Sequence, residues 1–159
     1  MNFPSKLKSQ IYNSIVPIVC GSERGTAFFI SPDTLLTARH IIVDHIESDH
    51  AEEITIDTGE QILCSPVCLA EEGDNIDIIL LKCIDYTSSF YLNLLSTNFT
   101  EEAIYSIIGY PREFGYCSNL ICFDVCNRLK VENQDCDITA IRLDTLSFST
   151  YKGFSGSPV

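Results

Sequence analysis

Apolar residues in this chain recur in short runs separated by turn-forming residues, a spacing that predicts β-structure along most of its length. Ile15-Val16-Pro17-Ile18-Val19-Cys20 reads as a strand with Pro17 at an edge, because proline has no N–H to give to a ladder. Gly21 to Gly25 reads as a turn, Thr26 to Ile30 as a second strand closed by Ser31-Pro32-Asp33, and Thr34 to Thr37 as a third. The series continues at 53–57, 61–69 and 78–83, with Thr58-Gly59 as a hairpin turn. A polar and aromatic connection over 84–102 interrupts it, and strand patterns return at 103–108, 116–126 and 138–143. Only residues 5–13 have helical character, with Pro4 suited to a helix start. Short strands at this spacing predict an all-β barrel or sandwich fold. The connection divides the chain into an arm or helix over 1–13, a first lobe over 14–90 and a second over 91–159.

Composition narrows the function classes. Of 159 residues, 45% are hydrophobic and 20% charged, enough apolar surface for a sizeable core. The net charge of −12 excludes the usual electrostatic route to nucleic acid or an anionic membrane. The basic residues are scattered, and Lys6/Lys8 and Arg128/Lys130 are too short to make a patch. No apolar run reaches the ~18 residues of a membrane span, and Ser9, Gln10, Asn13 and Ser14 interrupt any signal-peptide core, so a cytoplasmic location is expected. In that compartment the eight cysteines read as reduced, mostly buried thiols. Cys64/Cys68 and Cys122/Cys126 have the spacing of residues on one strand face, although four thiolates could also hold zinc. No cofactor and no metal site are expected.

Three segments carry nucleophilic chemistry. Gly153-Phe154-Ser155-Gly156-Ser157-Pro158 frames a hydroxyl with glycines, which permit a tight turn and aim backbone N–H groups at a developing oxyanion. His40, in Thr37-Ala38-Arg39-His40, follows a strand and so falls at a rim rather than in a core. His45 and His50 compete with it, but they lie in a charged stretch that reads as a solvated loop or helix. Asp77 directly precedes the apolar run Ile78-Ile79-Leu80-Leu81, where a largely buried carboxylate can still orient an imidazole; Asp74 is its rival.

Taken together, Thr37-Ala38-x-His40, Asp77-Ile78-Ile79-Leu80-Leu81 and Gly153-x-Ser155-Gly156-x-Pro158 resemble the three signature segments of chymotrypsin-like (trypsin-like) serine proteases, in that family's order. Gly25-Thr26-Ala27-Phe28-Phe29-Ile30 is similar to the family's strand before the histidine, and Gly109-Tyr110-Pro111 to a segment of the second barrel in bacterial-type members. The resemblance spans about residues 14–159. It implies two antiparallel β-barrels with the active site between them, the second barrel incomplete at its C-terminus. It also implies His40 as general base, Asp77 as its orienting carboxylate and Ser155 as nucleophile, with the N–H groups of Gly153 and Ser155 as oxyanion hole. The expected activity is peptide-bond hydrolysis of a protein or peptide substrate, within a longer intracellular protein. The alternative is a catalytically inactive relative that binds peptides.

Departures from the family pattern refine these expectations. Phe154 replaces an aspartate that pairs with a new N-terminus in digestive members, so activation of that kind is not expected. Ser157 is a second hydroxyl, but only Ser155 has the Gly-x-Ser-Gly frame. By the resemblance, Ser149 floors the pocket for the residue before the scissile bond, with Lys152 nearby. No carboxylate is there, so a preference for Lys or Arg is not implied. The strands that follow the nucleophile in the family are absent before Val159, which points to further domains or chain beyond it.

Overall fold

The computed structural model describes residues 4–48, 52–67, 77–94, 106–110, 121–132, 137–143 and 155–158. A helix, α1 (Ser5–Ser14), leads into β1 (Ile15–Cys20), β2 (Glu23–Phe29) and β3 (Thr34–Thr37). A 3-10 turn over Arg39–Ile42 and the short α2 (Val43–Glu47) follow, then β4 (Ile54–Asp57), β5 (Gln61–Pro66) and β6 (Ile79–Cys83). Beyond the connection lie β7 (Ser106–Gly109), β8 (Ile121–Glu132) and β9 (Asp137–Leu143).

The first six strands close into an antiparallel barrel in the order β1-β2-β3-β6-β5-β4, so each has a neighbour on both sides along at least part of its length. The remaining three form an antiparallel sheet in the order β7-β8-β9. The fold is therefore all-β with a closed first barrel, as expected. Strand β2 starts at Glu23 rather than Thr26, because Gly21-Ser22 alone makes the turn and Cys20 pairs with Glu23. β8 runs on to Glu132, past the expected end at 126, because β9 pairs with its polar half. Pro17 stands opposite Thr26 of β2, while pairing to β4 begins only at Ile18, so its missing N–H falls where β1 has one neighbour.

Alternation along the strands produces two apolar layers. Val16, Ile18, Cys20, Ala27, Phe29, Leu35, Ile54, Ile56 and Leu81 point into the barrel, and Ile41 and Ile42 join them. The intervening residues Ile15 and Phe28 face outward and pack with Ile108 of β7, where Ile11 and Tyr12 of α1, Leu36, Leu92 and Tyr110 cover them. This second layer fastens α1 and β7 to the barrel wall; the Tyr110 hydroxyl adds a bond to the Ile15 carbonyl at 3.1 Å. At the β2–β3 turn, Asp33 accepts hydrogen bonds from the hydroxyls of Ser31 and Thr34 and pairs with Lys82 of β6 at 3.2 Å. The Thr34 hydroxyl and then Lys82 hold its carboxyl below the ordinary carboxylate range.

Leu81 and Ile56 are fully buried in the barrel. Truncating either to alanine is expected to lower the unfolding free energy by about 2–5 kcal/mol, read from denaturant midpoints. The same change at exposed Leu63 is expected to stay within about 0.5 kcal/mol.

Candidate active site

Strand β3 delivers the histidine. It ends at Thr37, Ala38 stays extended, and the chain then tightens into the 3-10 turn. Ile41 and Ile42 are completely buried in that turn, so they hold it against the barrel end and leave His40, just before them, at the rim. Asp77 stands two residues before β6, whose Ile79 is paired with Thr37 of β3. The adjacency of β3 and β6 therefore brings together two residues 37 apart in sequence.

The contact between them is a two-point clamp. Asp77 Oδ2 lies 2.6 Å from His40 Nδ1, and Asp77 Oδ1 accepts the His40 backbone N–H at 2.9 Å. The carboxylate thus fixes the ring and the backbone that carries it. With Asp77 as acceptor, Nδ1 carries the ring proton and Nε2 is left as a base. His40 lies at the rim as expected, but Asp77 is not the largely buried carboxylate expected: side-chain exposure is 52% for His40 and 55% for Asp77. Both residues sit at the rim of the barrel rather than inside it.

Ser155 reaches the same cleft from the far end of the chain. It opens a turn with Gly156 that is tied to β2: the Thr26 N–H donates to the Ser155 carbonyl at 2.8 Å. Thr26 is completely buried, and its own carbonyl accepts the Thr37 hydroxyl at 2.7 Å. The Tyr110 N–H donates to the Thr26 hydroxyl at 2.9 Å, and the Ile108 N–H to the Pro158 carbonyl at 3.3 Å. Thr26 therefore joins β3, the serine turn and β7. Two glycines permit this approach. A Cβ on Gly156, whose φ is +81°, would meet the Thr26 carbonyl oxygen at 2.1 Å; one on Gly25 would meet Ile41 Cδ1 at 2.2 Å and the Ser155 carbonyl at 3.0 Å.

His40, Asp77 and Ser155 all line one cleft of about 750 Å³. Phe28, Leu36, Ile78, Leu92 and Leu94 supply an apolar wall. Leu92 and Leu94 carry no sequence signal for the site, since residues 84–102 show no periodicity, and nothing in the residue pattern marks Thr26 and Thr37 as tethers. Ser157 also lines this cleft, but its hydroxyl is buried from solvent and has no hydrogen-bond partner among the described residues, so no base is placed to take its proton. His45 lies on α2 with Nδ1 2.5 Å from the Glu52 carbonyl, away from this cleft. Gly153, Ser149, Lys152, Asp74 and His50 lie outside the described residues. Among the described residues no cluster of three or more His, Cys, Asp or Glu is placed to hold a metal, and no helix is long and apolar enough to cross a membrane.

The family profile of the trypsin-like peptidase domain matches residues 25–159. The chain belongs to the trypsin-like peptidase family. Its fold is similar to those of several solved structures. For the inactive form of the Rv3671c protease of M. tuberculosis the TM-score is 0.69 at 20% identity, covering 94% of this chain and 73% of that one. For Deg5 it is 0.61 at 16% identity, covering 99% and 81%. For the serine endoprotease of Yersinia pestis it is 0.56 at 17% identity, covering 98% and 53%. At such identities the likeness is one of fold. No curated protein sequence matches the chain.

In this trypsin-like peptidase domain, Gly156→Ala is expected to lower stability by at least about 2 kcal/mol, combining a disfavoured φ with a clash against main chain. Thermal unfolding checks it; a change below about 0.5 kcal/mol would show that the serine turn is not held against β2.

Proposed function

We propose that this domain is a serine endopeptidase that cleaves protein or peptide substrates in the cytoplasm through His40, Asp77 and Ser155. Residues 14–90 would supply the histidine and aspartate, and residues 91–159 the serine. The single observation that carries the reading is the His40–Asp77 clamp opening on the cleft that Ser155 also lines.

In this reading Ser155 Oγ attacks the scissile carbonyl carbon while His40 Nε2 takes its proton. Asp77 keeps the ring oriented and stabilises the imidazolium that forms. The N–H groups of Gly153 and Ser155 receive the oxyanion. His40 then returns the proton to the departing amine, leaving an acyl-enzyme. Water, deprotonated by His40, releases the acid and restores the serine. Every proton stays within this cycle, so no cofactor is required. Ser149 and Lys152 are assigned to the pocket for the residue before the scissile bond, with an apolar, aromatic or small residue, or an acidic one paired with Lys152, preferred over Lys or Arg.

Hydrolysis of an unfolded protein substrate by the full-length protein tests the proposal. Ser155→Ala is expected to abolish turnover, and Asp77→Asn to lower kcat by about 10³–10⁴-fold with KM little changed. Turnover that survives Ser155→Ala overturns the assignment. A native protein that binds peptides without cleaving them supports the non-catalytic alternative.

A further inference from the structure

Cys64 and Cys83 face each other directly across the β5–β6 ladder. Their sulfurs are 3.9 Å apart, both residues are buried in the barrel core, and both are free thiols. The ladder geometry around them favours a crosslink. The Cys83 N–H points the other way, to the Asp33 carbonyl at 2.8 Å, while the next residue, Ile84, donates to the Leu63 carbonyl at 2.9 Å. Cys64 and Cys83 therefore occupy a non-hydrogen-bonded pair, in which Cα atoms approach to about 4.5 Å. A disulfide accepts Cα separations of about 4.4–6.8 Å, so rotation of the two side chains can close the bond with the strands in place.

We propose that Cys64 and Cys83 are an oxidation site, converted by hydrogen peroxide into a cross-strand disulfide that staples β5 to β6. The residues are 19 positions apart, and the segment between them includes Asp77. The bond would lock the register of β5 against β6, the strand that Asp77 precedes. The chemistry balances with peroxide alone. The Cys83 thiol gives up its proton, its thiolate attacks one peroxide oxygen, the O–O bond breaks, and the departing hydroxide takes that proton and leaves as water, with a sulfenic acid formed on Cys83. The Cys64 sulfur then attacks the sulfenic sulfur, the S–O bond breaks, and the departing hydroxide takes the Cys64 proton and leaves as a second water. Two thiols are oxidised by two electrons in all, and one peroxide is reduced to two waters.

The hydrogen bond between the two thiols holds them together for this chemistry. It draws the Cys83 thiol below its ordinary value, whereas the same bond, with burial, keeps Cys64 protonated. Cys20, also a free thiol, is buried in the same core, but its partners across the ladders are Glu23 and Ile54 rather than a thiol.

The site stands apart from the proposed protease activity, and its test needs no turnover. Folded full-length protein is treated with hydrogen peroxide, alkylated and digested, and the peptides are mapped by mass. The expected result is one crosslinked pair joining Cys64 to Cys83, lighter by two hydrogens, and a melting temperature higher by roughly 5–10 °C that reductant reverses. The Cys64→Ala and Cys83→Ser variants are expected to lack the rise. A pair that forms only after unfolding, pairing of either residue with another cysteine, or the same rise in both variants overturns the proposal. The mapping of the unsubstituted protein decides the matter if a variant fails to fold.

Discussion

The structure depends on one main-chain hydrogen bond, from the Thr26 N–H to the Ser155 carbonyl. Thr26 belongs to the second strand of the first barrel, and Ser155 lies 129 positions later by residue number, so the bond closes the molecule across almost its whole length. It forms only because Gly25 and Gly156 leave room for two backbones to touch. Removing side chains at both positions costs conformational entropy, by roughly 0.5–1 kcal/mol for each glycine relative to alanine. That cost is offset by buried groups satisfied together: the Thr26 amide, carbonyl and hydroxyl each have a partner. A buried polar group left unpaired would cost about 1–3 kcal/mol. The turn is therefore held where the barrel needs it.

The second constraint is the order of strands. Closing the barrel as β1-β2-β3-β6-β5-β4 makes β3 and β6 neighbours, although two other strands separate them in sequence. His40 leaves the end of one and Asp77 enters the start of the other, so the ladder between them sets the distance at which the carboxylate meets the ring. The apolar plug of Ile41 and Ile42 fixes the histidine side of that contact. Core packing and site geometry are thus one problem: the residues that fill the barrel also decide where the imidazole stands.

Much of this was legible in the residues. The strands of the first barrel alternate with period two, and Ala27/Phe28/Phe29 and Leu35/Leu36 show both faces at once, because the outer face is buried as well. The signature segments around His40, Asp77 and Ser155 were legible as chemistry before any fold was in hand. The polar half of β8 was not, since Asn127, Arg128 and Lys130 carry no apolar signal and owe their strand form to pairing with β9 across an irregular register. Leu92 and Leu94 were invisible as cleft residues for a related reason: a connection has no periodicity, and only its path past Phe29, whose carbonyl accepts the Leu92 N–H, brings them there. The exposure of Asp77 also escaped the sequence, because an apolar run after a carboxylate reports the burial of the strand and not of the carboxylate.

The central claim is that Ser155 is a nucleophile activated by His40. Intact-mass analysis of the full-length protein with a fluorophosphonate tests it most directly. The account predicts one adduct per chain, mapped to Ser155 and lost in His40→Ala. An adduct on Ser157, or labelling of Ser155 that persists without His40, would contradict it.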